Sequence, residues 1–166
     1  MKKPMMRMAT LLVALLLLSL TVALVSCENG SEETFVFTAP GGVSVSIGSG
    51  DVVIHELGEY LSKSESASCG GIPGNDCVYT YQGFRVKTTP AASGGNEVCQ
   101  IELTDDSLKT PEGLYIGMSA EEAKTAMSGH GTYAASGAGF SYTKGNCKLQ
   151  VSVRGDVVSG IAYLTA

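Results

Sequence analysis

With 166 residues, 16 acidic against 11 basic side chains and no tryptophan, the chain is long enough for one domain with a real core. Its acidity, without any basic cluster, argues against a nucleic-acid partner and against charge-driven binding to anionic lipid. Twenty-one glycines punctuate segments that alternate apolar and polar, which points to a turn-rich, strand-rich protein and away from disorder.

The chain opens on "MKKPMMRMAT", where Lys2, Lys3 and Arg7 meet no acid, and continues as an apolar run from about Ala9 to Val25. A basic head, an apolar middle and a small-residue end are the three regions of a secretory signal peptide. The run also approaches the ~20 residues that span a bilayer, so a permanent transmembrane helix is the competing reading. "LVSC" at Leu24 to Cys27 separates the two, because it resembles the lipobox of bacterial lipoproteins. That resemblance implies that the Cys27 thiol receives a diacylglyceryl group and that cleavage before it leaves Cys27 as the new N-terminus. Residues 1–26 are then a lipoprotein signal peptide, and residues 27–34 a polar lipidated tether. Each buried methylene contributes ~0.8 kcal/mol, and two acyl chains hold where one is marginal. The implied location is the cell membrane or envelope, on its extracytoplasmic face, with Cys27 as the membrane contact. Without Lys2, Lys3 and Arg7 the remaining chain sets eight basic residues against 16 acidic ones, a balance of −8.

Downstream, two stretches read alike. "VSVSIGSGDVVIHELGEY" from Val43 parallels "GLYIGMSAEEAKTAMSGHG" from Gly113, each an apolar strand ending Ile-Gly followed by a short helix. "VYTYQGFRVKT" parallels "FSYTKGNCKLQVSV", and "GNEVCQIELT" parallels "GDVVSGIAYLT", in the same order. Val53, Ile54 and Leu57 make the apolar face of the first helix, with Gly58 as its stop. Ser119-Ala-Glu-Glu122 is a capping box that starts the second, whose face is Ala123, Ala126 and Met127, with Gly129 placed to end it. Phe84, Val86 and Thr88 alternate with Arg85 and Lys87, as in a sheet covered on one side. "TFVFTAP" reads as an extra edge strand, and "SGHGTYAASGAG" (Ser128 to Gly139) as a connector. The expected fold class is α+β, a tandem duplication in which each half packs a short helix on an antiparallel β-sheet. The first repeat covers residues 35–104, a linker 105–112 and the second repeat 113–166, with 27–166 as one unit.

Apart from Cys27 there are four cysteines, Cys69, Cys77, Cys99 and Cys147, and an even number in an exported domain suggests disulfides. Four cysteines allow three connectivities. Cys69 and Cys77 flank the flexible "GGIPGND" and make one candidate pair. Cys99 shares strand parity with Ile101 and Leu103, and Cys147 with Leu149, Val151 and Val153, so these two should point at the core and either pair across it or remain buried thiols. Neither spacing nor histidine partners suggest a metal site, and no cofactor is expected.

The helix start "IGMSAEEAKTAM" resembles the G-M-S/T-x-x-x-V motif of two-repeat β-lactamase inhibitory proteins and of small lipoproteins of the outer-membrane β-barrel assembly machinery. The chain after the signal, including "YTYQGFRVKT" and "IELTDD", resembles uncharacterised two-repeat lipoproteins of Gram-positive anaerobes. What the resemblance implies is non-catalytic protein binding through an exposed sheet face; no contact residue carries over. The leading expectation is therefore a membrane-anchored, non-enzymatic module that binds an envelope protein or extracellular ligand. The competing ones are a hydrolase-like envelope enzyme using acidic residues and His130, in "SGHGT", and a structural spacer. His55 reads as a surface histidine, and adjacent Asp105 and Asp106 as a solvated turn. Tyr79, Tyr81 and Tyr142 share the parity of core residues; tyrosines facing water instead would form a binding patch.

Overall fold

Apolar residues recur at every second position through most of the chain after the tether, and that period builds strands rather than helices. The structure, a computed structural model, describes residues 33–166; Cys27 and the signal-like segment lie outside the described residues. Of what is described, 48 % is strand and 9 % helix. A short hairpin of β1 (Val36–Thr38) and β2 (Ser44–Ser46) comes first, then helix α1 (Val52–Glu56). Four strands follow: β3 (Ser62–Ala67), β4 (Asn75–Tyr81), β5 (Phe84–Pro90) and β6 (Asn96–Leu103). After a long connection come α2 (Ala120–Ala126), β7 (Thr132–Ser136), β8 (Gly139–Lys144), β9 (Cys147–Arg154) and β10 (Val157–Thr165).

Eight of these strands form one antiparallel sheet in the order β3-β4-β5-β6-β10-β9-β8-β7. The expected α+β duplication is thereby overturned: the described residues are mostly β, and eight of their ten strands share a single sheet instead of forming one sheet and one helix layer per half. Helices of five and seven residues are too short to cover a sheet as a layer. What joins the two runs of strands is β6 against β10, with Leu103 opposite Ile161 and Ile101 opposite Tyr163. All four side chains are buried, so separating β6 from β10 would expose both their backbone edges and an apolar seam. Three further differences follow from local chemistry. The Val43–Ile47 strand pairs with "TFVFTAP" in the separate β1–β2 hairpin, not in the main sheet. Gly113 to Gly117 turns rather than extending as a strand, held by the Thr110 N–H on the Leu114 carbonyl and the Gly113 N–H on Thr110. The outer strand β7 forms within the expected connector Ser128–Gly139, and β3 forms where no element was expected; every residue of both strands is exposed, so neither shows an apolar alternation.

The two faces of the sheet differ. On one, Phe84, Val86, Ile101, Leu103, Leu149, Val151, Ile161 and Tyr163 are buried beneath the β1–β2 hairpin and the two helices. Phe37 from β1 sits 5.1 Å from the Phe84 ring and 5.9 Å from Tyr163. Helix α1 contributes Val53 and Ile54 to this core, and α2 contributes Ala123 and Met127. The α2 start is the expected capping box: the Glu122 N–H donates to Ser119 Oγ and the Ser119 N–H donates back to the Glu122 carboxylate. The opposite face has no covering element among the described residues. Its central row runs Thr80–Arg85–Glu102–Ala162–Gln150–Ser141 across six strands, polar at every position but Ala162.

Candidate functional site: two aromatic grooves at the sheet ends

The covering layer spans the middle of the sheet and stops short of both outer strands. Every residue of β3 and of β7 is exposed. Each end therefore leaves a groove between a helix and an outer strand, lined by aromatic side chains at the edge of the layer.

At the β3 end the groove measures about 680 Å³ and is lined by Asp51, Ile54, His55, Gly58, Glu59, Tyr60, Lys63 and Tyr79. Tyr60 stands 45 % exposed. Its ring meets Tyr79 edge-on at 5.4 Å and Tyr81 at 6.5 Å. Lys63 lies 5.3 Å from the Tyr79 ring centre, within cation–π range, and also pairs with Glu65. That carboxylate holds the Lys63 ammonium protonated well above the usual lysine range, while Lys63 holds Glu65 below the usual carboxylate range. Burial raises both phenols, that of Tyr81 to about 12, so they stay neutral donors. The Tyr81 hydroxyl donates to the Ile54 carbonyl at 3.4 Å, tying β4 to α1.

At the β7 end the groove measures about 580 Å³ and runs between α2 and the β7–β8 hairpin. Tyr133, 50 % exposed, lies 5.4 Å from Tyr142 and 6.2 Å from Phe140. Lys124 sits 5.9 Å from the Phe140 ring and pairs with Glu121 at 2.8 Å, which raises its ammonium's affinity for the proton. Burial raises the Tyr142 phenol in turn. Both ends thus carry the same chemistry: an exposed tyrosine, a further aromatic ring packed against it and a lysine locked to a glutamate. Such a groove can stack a flat apolar or aromatic surface and hydrogen-bond its polar rim.

The residues singled out in the sequence are dispersed. His55 lines the β3 groove, whereas His130 sits exposed in the turn after α2 and lines neither groove. Asp105 accepts from the Ser107 hydroxyl and N–H in a local turn, which holds its carboxyl below the usual range. Tyr81 and Tyr142 are core residues that pack against the exposed tyrosines without lining either groove, and Tyr79 is half-buried. Tyr60 and Tyr133, the exposed members, were missed because they lie outside the segments whose alternation is readable. Among the described residues no group of three or more His, Cys, Asp or Glu is placed to hold a metal. No described helix is long and apolar enough to cross a membrane.

The candidate disulfides are not formed: Cys69, Cys77, Cys99 and Cys147 are all free thiols in the structure. Cys69 lies beyond the Ser68–Gly74 hydrogen bond that closes the β3–β4 ladder, whereas Cys77 sits opposite Glu65. About four residues, roughly 13 Å of extended chain, separate the two levels, outside the ~4.4–6.8 Å Cα window of a disulfide. Cys147 is fully buried as its parity predicts, and burial raises its thiol to about 11. Cys99 breaks parity. It is the extra residue of a β-bulge, since Lys87 pairs with Gln100 but Thr88 pairs with Val98. Val98 and Ile101 take the inward positions, and Cys99 stays half-buried with its thiol on the Lys87 carbonyl at 3.4 Å.

No protein family matches the chain, and no curated protein or solved structure matches it.

Proposed function

We propose that the chain is a membrane-anchored extracytoplasmic lipoprotein whose folded part is a non-catalytic binding module, with the two end grooves as its binding surfaces. The observation that carries the binding reading is the pair of half-exposed tyrosines, Tyr60 and Tyr133, each packed edge-on against a further tyrosine, Tyr79 and Tyr142. Tyr133 stands on β7 and Tyr60 just before β3, and exposed aromatics held against a packed surface are where binding energy concentrates, since they bring large contact area at little entropic cost. The uncovered sheet face, where the resemblance would put the partner, carries polar and charged side chains and, among the described residues, no exposed aromatic, and suits that role less. Its Arg85–Glu102 pair at 3.2 Å is solvent-exposed and worth little. The anchoring half of the reading rests on "LVSC" and the signal-like segment before it.

Two measurements test the two halves separately. Cells expressing the full chain and given a fatty-acid analogue should label it, and Cys27→Ser should abolish the label; persistent labelling removes the anchor. The full chain, used as bait on solubilised envelopes, should recover one stoichiometric component. Tyr60→Ala or Tyr133→Ala should reduce that recovery by at least tenfold. Undiminished capture by both variants would move the site out of the grooves.

A further inference from the structure

The two outer strands of the sheet are built differently. In β3, "SKSESA", Lys63 and Glu65 are charged and paired with each other, a device that blunts a free strand edge against further pairing. In β7, "TYAAS", there is no charge, no proline and no bulge, and all five residues are exposed. An uncharged edge of this kind is a template for another strand. We propose that β7 pairs with β7 of a second copy, antiparallel about a two-fold axis at Ala134, making one sheet continuous across both chains.

The register follows from the hairpin. The two-residue turn Gly137-Ala138 closes on Ser136 opposite Gly139, and Ala134 and Thr132 lie opposite Ser141 and Thr143. In a two-residue hairpin the closing pair is hydrogen-bonded, and antiparallel pairs alternate from there. Ser136, Ala134 and Thr132 therefore bond to β8, and Tyr133 and Ala135 direct their N–H and C=O groups outward. Only an axis at Ala134 sets Tyr133 against the partner's Ala135 and Ala135 against the partner's Tyr133, each pair exchanging two hydrogen bonds. The fit is large on small: the half-exposed Tyr133 ring lies across a methyl group on the same face of the sheet. No charged residue of β7 is brought opposite its own copy, although the chain as a whole is acidic. The interface is isologous, as a two-fold pair requires, and it sets the two β7 grooves side by side. It does not depend on what the grooves bind.

The register makes a sharp test with the full chain in mild detergent, on a Cys69→Ser background. Ala134→Cys places two thiols across the axis at a non-hydrogen-bonded pair, with Cα atoms ~4.5 Å apart, inside the disulfide window. Thr132→Cys, two residues off the axis, places them about 13 Å apart. Under gentle oxidation Ala134→Cys should give at least tenfold more covalent dimer than Thr132→Cys. Ala135→Pro removes an outward donor without touching the β8 ladder and should cancel that cross-link. Without any introduced cysteine the chain should sediment as a dimer, and Ala134→Lys, which opposes like charges at the axis, as a monomer with an unchanged circular dichroism spectrum. Equal cross-linking at positions 132 and 134 overturns the proposal. So does a chain that stays monomeric at hundreds of micromolar, including one whose β7 edge takes up a strand from a different protein.

Discussion

Gly139 begins β8, pairing with Ser136 on one side and Ser152 on the other, at φ +155°. A methyl group added there would lie 2.0 Å from the Val151 carbonyl oxygen and 3.0 Å from its carbonyl carbon. Both are backbone atoms of the neighbouring strand, so no rotamer change relieves the clash; β8 must part from β9. The strained backbone costs about 1–3 kcal/mol. Losing one or two ladder hydrogen bonds at the strand end adds about 1 kcal/mol each. Gly139→Ala should therefore destabilise by about 2–5 kcal/mol, a large share of the ~5–15 kcal/mol typical of a domain. With a urea slope of about 1–3 kcal/mol/M, the unfolding midpoint should fall by roughly 1–2 M. Gly137→Ala, in the turn of the same hairpin, is the control: nothing lies within 4 Å of its added Cβ and its φ is not positive, so its midpoint should barely move. Equal midpoints for the two variants would refute both the close β8–β9 approach and the placement of the hairpin that carries Tyr133 and Phe140.

Removing the α2 cap with Ser119→Ala deprives the Glu122 N–H of its acceptor and should cost about 1 kcal/mol, read as a drop of a few degrees in Tm; no change would mean the capping box is not formed in solution. Burial raises Cys147 to about 11 from 9.0 and Tyr81 to about 12 from 10.0, so the folded chain holds both protons more tightly than the unfolded one. Their contribution is complete below about pH 9 and is lost as pH climbs through 12, with Cys147 accounting for about 3 kcal/mol. Denaturant midpoints should be flat from pH 7 to 9 and then fall, less steeply in Cys147→Ala; an identical slope in the variant would count against the buried thiol. A thiol reagent should modify exposed Cys69 quickly and buried Cys77 and Cys147 only on unfolding. Mass spectrometry of unreduced protein that finds Cys69 joined to Cys77 would contradict the β3–β4 register.

The strands that were legible in the sequence are the ones buried on one face. Phe84-x-Val86-x-Thr88 on β5 and Cys147-x-Leu149-x-Val151 on β9 alternate because burial demands it, and the structure buries those residues. The α2 start was equally plain, because Ser119 and Glu122 satisfy each other's backbone whatever surrounds them. The fold class was not legible, for a reason visible at β6 and β10. Similar segments in two halves say that similar strands form, but not whether their last strands close two sheets or join one. That choice is made by non-local pairing of Ile101 and Leu103 with Tyr163 and Ile161, and periodicity carries no information about partners. The bulge at Cys99 shows the same limit at smaller scale: one extra residue shifts the parity, and nothing in "EVCQIEL" marks which residue is extra.

The grooves were hidden for a related reason. A tyrosine joins a binding surface when the element above it ends too soon, and how far a covering layer reaches is decided by helix length against sheet width. Here the layer is a three-residue-per-strand hairpin and two short helices, laid over a sheet eight strands wide. The outermost strands cannot be covered by so little chain. They were also the strands hardest to recognise, because a strand with no buried face shows no alternation. Uncovered aromatics and illegible strands are thus one phenomenon. In a one-sided sheet the segments whose sequence says least are the ones left open to solvent, and in this chain "TYAAS", exposed at all five positions, is the clearest case.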